Sequence, residues 1–273
     1  MTKGILCFAF NNESIDYIKQ AKFLAARAKN YLNLPVSVVT DSTIEDSSLF
    51  DKVIKIDLEE KTNNRRYYNG MKESHTINFK NSSRTKAYDL SPYDNTLILD
   101  TDYVICSTKL LEAFDSGKDF LIHDSSFDVA YRPENIEFKF LSDTGIKFYW
   151  ATCVFFKKTK TTKAFFDLLK HIQDNWNFYS SLYCLPNELY RNDYSFSIAI
   201  HIMNGYVEDS WVSTFTFPTW YITDKDYLYE LKNETIKILS PVFNEVDVEL
   251  PIIIKNTDVH IMNKYSLEDH INV

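Results

Sequence analysis

The sequence of 273 residues is poor in glycine, with five, and contains only seven prolines and four cysteines. No stretch is rich in Gly and Ser, so no flexible linker is evident and we expect one domain with a C-terminal elaboration. No Gly-x-Gly-x-x-Gly motif follows the first apolar segment, which excludes the common dinucleotide-binding fingerprint. No run of about eighteen apolar residues occurs, so we expect no transmembrane helix.

The cysteines do not indicate a disulfide framework or a zinc site. Cys7, Cys106 and Cys153 lie inside apolar runs, and no pair has Cys-x-x-Cys spacing. We therefore expect buried free thiols and a protein of the reducing cytoplasm. The first ten residues are apolar, but polar Asn11 and Asn12 follow at once. We interpret them as a strand and not as a signal peptide.

Positive charge is concentrated in one part of an acidic chain. The net charge of −8 argues against a protein that coats nucleic acid non-specifically. Between Lys61 and Lys86, however, seven basic residues stand against Glu73 alone. Such a patch suits a phosphate-bearing ligand, either a nucleotide or a nucleic acid. A solvated surface loop is the alternative, and the sequence leaves both open.

Apolar strands and amphipathic helices alternate in the first part of the chain. Residues 4–10 and 36–41 are continuous apolar segments, and residues 15–32 between them have helical spacing. A third strand is predicted at 52–57, and a polar, irregular loop or small insertion at 58–80. Strand, helix, strand with buried strands predicts an α/β fold, a mixed and mainly parallel Rossmann-like sheet flanked by helices.

The later part of the chain is less regular. Residues 148–157 form a strongly β-prone run that is uncharged before its end, which is typical of a central strand. Residues 161–176 and 194–203 are predicted to be amphipathic helices. Residues 205–250 carry no pattern that orders them into elements.

The strongest sign of a functional site is a pair of aspartates that ends a strand. Residues 96–99 are apolar or β-branched, and Asp100 and Asp102 follow with one residue between them before the apolar run resumes. Unpaired carboxylates in such a place would cost several kcal/mol (about 2–7 for a polar group alone), and a divalent cation is the usual remedy. A chance occurrence in a surface turn is the alternative, which the preceding apolar strand disfavours.

Other polar residues follow the ends of the first two strands. Phe10 and Asn11 end the first strand and Asp41 ends the second, so they would share one edge of the sheet with Asp100. Ligands of such sheets bind beyond the carboxyl ends of the strands. The pattern predicts a nucleotide site with an aromatic ring for the base and polar groups for its edge. For Asn11 and Asp41 a helix cap or turn role is equally open.

Four further residues are candidates for the same site. Arg84 and Lys86 lie on a predicted helix that leads directly into the strand before Asp100 and Asp102 (the metal strand). Positive charge there could contact a diphosphate. Asp193 opens the helix at 194–203 and is either its cap or first-turn residue, or a catalytic residue. Asp128 lies in a polar segment that we interpret as an acceptor-facing loop.

Near the end of the sequence, His260 lies between apolar Val259 and Ile261, and Lys264 follows four residues later. In an extended segment the histidine points to the opposite face from both neighbours. It is then a candidate third metal ligand, with Lys264 as a phosphate contact. A structural role is the alternative.

Together these motifs resemble those of GT-A glycosyltransferases, and most nearly glycosyltransferase family 8. The resemblance rests on the apolar strand that leads into Asp100 and Asp102 and on the late pair His260 and Lys264. It implies a GT-A fold, a UDP-sugar as the nucleotide-sugar donor, and Mn²⁺ or Mg²⁺ held by Asp102, His260 and Asp100. It also implies that Lys264 and Arg84 contact the diphosphate.

The chain departs from the family pattern at two points. The segment from His260 to Lys264 lacks the glycine of the family motif, and Arg191, Asn192 and Asp193 stand where the family has Asp-Gln. Nearly the whole chain also resembles glycosyltransferase-like proteins of tailed bacteriophages. Some phage enzymes of this kind glycosylate hydroxymethylated pyrimidines in DNA, so the resemblance implies DNA with 5-hydroxymethylcytosine as acceptor, and the host cytoplasm as location.

The sequence therefore predicts a metal-dependent glycosyltransferase of one domain. Residues 1–107 would form the nucleotide-binding half, and 108–273 the acceptor-binding half with the C-terminal elaboration. Asp193, with Asp128 as second choice, would lie near the acceptor as base or hydroxyl ligand. Alternatives are a glycan or protein acceptor, a metal-dependent nucleotidyltransferase, or a non-catalytic binding module. The nucleotidyltransferase usually has a Gly-rich or basic loop after the first strand, which this sequence lacks.

Overall fold

The structure is a computed structural model, and it describes residues 1–58, 63–71, 73–80, 82–132, 139–142, 145–185, 189–207, 211–242, 245 and 248–271. The strands, in chain order, are β1 (Lys3–Phe8), β2 (Val36–Thr40), β3 (Lys52–Lys55), β4 (Asn64–Asn69), β5 (Glu73–Asn78), β6 (Asn95–Leu99), β7 (Tyr103–Val104), β8 (Phe120–His123), β9 (Ser126–Asp128), β10 (Phe140–Leu141), β11 (Ile146–Lys147), β12 (Trp150–Lys157), β13 (Ser213–Thr214), β14 (Thr219–Ile222), β15 (Tyr227–Lys232), β16 (Thr235–Pro241), β17 (Glu249–Lys255) and β18 (Val259–Ile261). The α-helices are α1 (Tyr17–Leu32), α2 (Ala87–Leu90), α3 (Glu112–Asp115), α4 (Lys160–Asp174), α5 (Trp176–Leu182), α6 (Asn192–Met203) and α7 (Lys264–His270), and the 3₁₀ helices are Ser82–Lys86 and Lys109–Leu111.

A seven-stranded sheet forms the centre of the fold, in the order β13-β8-β12-β6-β1-β2-β3. Its neighbouring strands are parallel except where β12 pairs antiparallel with β6 and with β8. The predicted mainly parallel α/β sheet is therefore confirmed. The β-prone run before residue 157 is a central strand, as expected, but it runs against its neighbours.

Helices cover both faces of this sheet, which explains why its strands are apolar without alternation. Along β1, Ile5 and Cys7 belong to the apolar cluster that contains the buried face of α1. Leu6 and Phe8, which point to the other face, belong to the cluster that contains Phe165 of α4 and residues of α6. The carboxyl ends of the parallel strands are thus held at one edge by a core on each side.

A second sheet brings the end of the chain back to the central one. Its order is β7-β18-β14-β9, and β18 pairs antiparallel with β7, so that His260 lies opposite Tyr103. The amide of Ile261 donates to the carbonyl oxygen of Asp102 over 2.9 Å. The described part of 205–250 contributes β13 and β14 to these two sheets and β15 and β16, with β17, to an antiparallel sheet.

The segment 58–80 differs from the irregular loop that the sequence predicts. In its described part β4 and β5 form an antiparallel hairpin. The turn contains Asn69 and Gly70, and Gly70 has a φ of +69°, a conformation that glycine adopts without strain. Lys61 and Lys72 of the basic stretch lie outside the described residues.

The structure also bears on the expectations for the cysteines and for a membrane span. Cys7, Cys106 and Cys153 are buried free thiols, as expected, whereas Cys184 is exposed. Among the described residues, none of the helices combines the length and the apolar character that a membrane span requires.

Candidate functional site

Asp100, Asp102 and His260 converge at the carboxyl end of β6. The His260 Nε2 atom lies 3.3 Å from Asp102 Oδ2 and 4.0 Å from Asp100 Oδ2. One ligand atom from each residue lies within 4.8 Å of the others. Two carboxylates and an imidazole nitrogen at this separation fit a divalent cation such as Mn²⁺ or Mg²⁺. The predicted ligand set therefore comes together in space.

Lys264, the first residue of α7, joins this cluster. Its ammonium contacts Asp102 Oδ2, and its backbone amide donates to the hydroxyl of Tyr67 over 2.7 Å. Burial alone would raise the pKa of Asp102, but the charges of Lys264 and His260 outweigh burial and hold that pKa well below its ordinary value. Burial would lower the pKa of Lys264, but Asp102 raises it overall. A buried carboxylate and a buried ammonium thus stabilise each other's charged form.

Arg84 pairs with the other aspartate. It lies in the 3₁₀ helix Ser82–Lys86 and is buried, with one guanidinium nitrogen on Asp100 Oδ1 and another donating to the carbonyl oxygen of Ala151 over 2.5 Å. Burial would lower the pKa of Arg84, but Asp100 raises it overall. The helix predicted to bring positive charge to the metal strand therefore does so through Arg84.

The cluster opens into one cavity of about 350 Å³, and Phe10 and Asp193 also line it. Asp193 lies in the first turn of α6, and the helix N-cap is Arg191. Its Oδ1 accepts from the Ala151 amide over 2.9 Å, and its Oδ2 lies 3.4 Å from a guanidinium nitrogen of Arg191. Asp193 is thus the first-turn residue of the two structural possibilities, and its carboxylate faces the cavity.

Two predicted base-binding residues make local contacts and are not among the residues that line this cavity. Asn11 Oδ1 accepts from the amide of Ile18 over 3.0 Å, a contact of the turn before α1. Asp41 lies at the end of β2, where its Oδ2 is 3.8 Å from Lys80 Nζ. Lys80 lines the cavity and also donates to the carbonyl oxygen of Asn11 over 2.9 Å. Asn11 and Asp41 therefore border the site through Lys80.

Lys86 and Asp128 are not brought into the cavity either. Lys86 is partly buried at the end of its 3₁₀ helix. Asp128, at the end of β9, accepts two hydrogen bonds from Arg132, at 2.6 and 3.0 Å. Arg132 also bonds Asp226, so the structure gives Asp128 an ion-pair role in a different part of the fold.

The sequence did not single out several residues that line the cavity, notably Tyr17, Arg65, Tyr67, Arg191 and Asp224. Burial raises the pKa of Tyr17 to about 12, and its buried hydroxyl has no hydrogen-bond partner among the described residues. Arg65 and Tyr67 arrive on β4. The Asn-Gly turn at residues 69–70 is a strong hairpin signal and could have identified that strand.

Comparisons with known proteins find similar folds only among solved structures. No family model matches the sequence, and no curated protein matches it either. The chain is similar to the glycosyltransferase GlyE of Streptococcus pneumoniae TIGR4, with 12% identity and a TM-score of 0.45 over 79% of this chain and 46% of GlyE. It thus spans about half the length of GlyE.

Two other similar structures are glycosyltransferases as well. The galactosyltransferase LgtC has 14% identity and a TM-score of 0.42, over 72% of this chain and 70% of LgtC. Mouse xyloside xylosyltransferase 1 has 12% identity and a TM-score of 0.46, over 78% of this chain and 85% of that protein. Similarity at this level does not define a reaction.

Proposed function

We propose that this protein is a metal-dependent glycosyltransferase that moves a sugar from a nucleotide sugar to an acceptor hydroxyl. The observation that carries the proposal is the convergence of Asp100, Asp102 and His260 within 4.8 Å at the carboxyl end of a strand, beside the ammonium of Lys264. Such a cluster suits a divalent cation and a diphosphate together.

Each residue of the cluster has a role in this proposal. A cation bound by Asp102, His260 and Asp100 would neutralise charge on the donor diphosphate. With such a cation beside Asp102, the ammonium of Lys264 would be available to a diphosphate oxygen. Arg84 holds Asp100 in place and adds positive charge where the leaving group gains negative charge. Phe10 lines the cavity and offers a ring face to the base, with a UDP-sugar as the expected donor.

Asp193 is the proposed acceptor-side carboxylate. It faces the cavity, and among the described residues the contact of its Oδ2 is the long one to Arg191, so this oxygen can accept a proton or a hydrogen bond from a sugar hydroxyl. The proposed acceptor is 5-hydroxymethylcytosine in phage DNA, which the basic side chains Arg65, Arg66 and Lys80 along the cavity support. A hydroxyl on a glycan or a protein is the alternative acceptor.

The test is to incubate the protein with Mn²⁺, a panel of UDP-sugars and DNA that contains hydroxymethylcytosine, and then to weigh the digested nucleosides. The expected result is a mass gain of one sugar residue on 5-hydroxymethyl-2′-deoxycytidine. The gain should be absent in Asp102→Asn and present in the surface control Asp46→Asn, which has the same charge change outside the cavity.

Other outcomes separate the alternatives. Sugar transfer to a glycan or protein but never to DNA would refute the DNA acceptor and keep the glycosyltransferase. Formation of UDP-sugar from UTP and a sugar phosphate would show a nucleotidyltransferase. Failure of every nucleotide sugar to bind in the presence of Mn²⁺ would leave a non-catalytic module.

A further inference from the structure

Two arginines that take no part in the proposed metal and diphosphate contacts lie close together in the same cavity. Arg65 is on β4 and Arg191 precedes α6, and both line the cavity. A guanidinium nitrogen of Arg65 donates over 2.5 Å to the carbonyl oxygen of Tyr190, in the peptide that leads into Arg191. Burial, together with the charge of Arg191, lowers the pKa of Arg65 to about 10. Two partly buried cations are thus held near each other.

The two arginines differ in the negative charge around them: burial would lower the pKa of Arg191, but Asp193 raises it overall. Among the described residues, the bonds of Arg65 go to neutral oxygens, those of Tyr190 and of Asn63. Arg191 faces Asp193 at 3.4 Å, which is long for a charge-assisted hydrogen bond. The Nε atom of Arg191 is buried and has no partner in the described part of the chain. The carboxylate of Asp193 is therefore the one that faces this arginine pair, and the Nε–H group of Arg191 remains without a partner among the described residues.

The start of α6 adds to the positive potential. Its N-cap is Arg191, whose side chain does not accept from the first-turn amides. The N-terminus of a helix carries partial positive charge and attracts anions. The N-terminus of α6 therefore adds partial positive charge to a site that Arg65 and Arg191 define.

This group is separate from the metal cluster. Arg84 bonds both Asp100 and the carbonyl oxygen of Ala151, and the amide of Ala151 donates to Asp193. Ala151 therefore lies between the aspartates of the cluster and the carboxylate beside Arg191. A diphosphate held at Asp102 and Lys264 would leave the two arginines free for another group.

We propose that Arg65, Arg191 and the first turn of α6 form a second anion subsite, which binds a phosphate or carboxylate of a substrate other than the donor diphosphate. This inference rests on the proposed function and narrows the substrate class. The anion belongs either to the acceptor, as a phosphate next to the acceptor hydroxyl, or to the donor, as an acidic group on its sugar. Guanidinium groups bind both through paired N–H donors.

The first experiment titrates inorganic phosphate into protein saturated with UDP and Mn²⁺, which block the diphosphate position. Wild type is compared with Arg191→Gln, with the double variant Arg65→Gln/Arg191→Gln, and with Lys52→Gln, a control that matches the single variant in charge. Lys52 is exposed on β3 and outside the cavity. The double variant should bind phosphate about tenfold more weakly or worse, and the control should bind it as wild type does. Equal phosphate affinity in wild type and double variant would overturn the subsite.

The design separates this proposal from folding defects and from the proposed function. Arg65 also holds Asn63 and Tyr190, so the circular dichroism and melting temperature of each variant are measured. Arg191→Gln loses contacts of 3.4 and 3.5 Å and a cation–π contact with Tyr194, all close to its own position in the chain, and should keep the fold. If UDP and Mn²⁺ do not bind at all, the donor proposal fails. Phosphate titration of the nucleotide-free protein, with Lys264→Gln as reference, then still decides the arginine subsite.

A second pair of measurements identifies the source of the anion. Tighter binding of UDP-glucuronate than of UDP-glucose, lost in the double variant, would place it on the donor sugar. Preference for a hydroxymethylcytosine oligonucleotide over the free nucleoside, lost in the double variant but not in Lys52→Gln, would place it on the acceptor. Absence of both preferences in the wild type would refute a substrate with a second anion.

Discussion

At the scale of single residues, the candidate site depends on buried charge pairing around Asp102. Lys264 and His260 both contact its Oδ2 oxygen, and both are mostly buried. A buried carboxylate that loses its cations is strongly destabilising, since its charge is then uncompensated. The residues that would bind a metal ion for function therefore also contribute to the stability of the metal-free protein, through their contacts with Asp102.

This predicts that Lys264→Met destabilises the metal-free protein by about 3 kcal/mol, because the buried Asp102 then loses its ammonium partner. Mn²⁺ should restore part of the loss, since it neutralises the same carboxylate. The measurement is urea unfolding with and without Mn²⁺. Lys163→Met, which removes an exposed pair with Asp167, is the matched control and should leave the unfolding midpoint unchanged in both conditions. A Lys264 variant as stable as the control would contradict this role.

Asp193 allows a second test at this scale. In Asp193→Asn the amide oxygen can still accept from Ala151, so the fold and donor binding should be retained. Sugar transfer should fall by about 100-fold or more if the carboxylate is the base. Single-turnover transfer and UDP affinity are measured side by side. Loss of transfer in Asp128→Asn but not in Asp193→Asn would reverse our assignment.

The sequence identified some site residues and not others for a physical reason. Asp100 and Asp102 stand out because carboxylates interrupt an apolar strand, and His260 and Lys264 because a recognisable motif holds them. Arg65 is one basic residue among many, and only the tertiary pairing of its hairpin with the chain before α6 brings it into the cavity. No local pattern contains that information.

At the scale of elements, the β4–β5 hairpin is the largest difference between prediction and structure. Its polar sequence has no apolar face of the kind that identifies a strand, so composition favoured a loop. The hairpin is instead held at its ends by hydrogen bonds to distant segments. The Tyr68 amide donates to Asp224 Oδ2 over 2.9 Å, and the Tyr67 hydroxyl accepts from the Lys264 amide.

Asp224→Ala should therefore loosen the hairpin, because the Tyr68 amide loses its acceptor, a change of about 1 kcal/mol. Hydrogen exchange of the hairpin amides should accelerate, and phosphate affinity should fall since Arg65 is on the same strand. Asp224→Asn keeps an acceptor oxygen and serves as control. Unchanged exchange in the alanine variant would show that the hairpin is held by other contacts.

His123 at the end of β8 makes the stability of its strand dependent on pH. It is buried and stacks on Phe215 with ring centroids 4.3 Å apart, and burial lowers its pKa from 6.5 to about 4. The unfolded chain then binds a proton between about pH 6.5 and 4 that the folded chain does not, so stability falls as the pH drops through this range.

The loss should approach about 3 kcal/mol by pH 4, and none of it should be present above about pH 7. His123→Phe removes the titrating group and keeps a ring beside Phe215. We expect the difference in unfolding free energy between wild type and variant to change with pH only within this window. His75→Phe, at an exposed position on β5, is the control and should not alter the pH profile. A constant difference between wild type and His123→Phe would contradict the buried neutral histidine.

At the scale of the whole molecule, the fold joins distant parts of the chain at one edge of the central sheet. The sequence placed Phe10 and Asp100 at this edge because β1 and β6 are continuous apolar strands. Such a composition indicates strands that are buried on both faces, near the centre of a sheet. The sequence could not order residues 205–250. Of β14, β15 and β16, only β16 alternates regularly in burial. Strand β14 acquires its place by pairing with β9 and β18, to which its sequence gives no local clue.

The whole molecule also separates charge, since a chain with a net charge of −8 concentrates arginine and lysine in the cavity beside Asp102. Because a ligand that binds only the folded state stabilises it by mass action, UDP with Mn²⁺ at about 100 times the dissociation constant should add about 2.7 kcal/mol. For a chain of this size that raises the melting temperature by roughly 5–10 °C. The shift should require both components, should shrink with added salt, and should vanish in Asp102→Asn but persist in Asp46→Asn. An equal shift in Asp102→Asn would mean that the nucleotide binds elsewhere, and would separate the cavity from the proposed donor site.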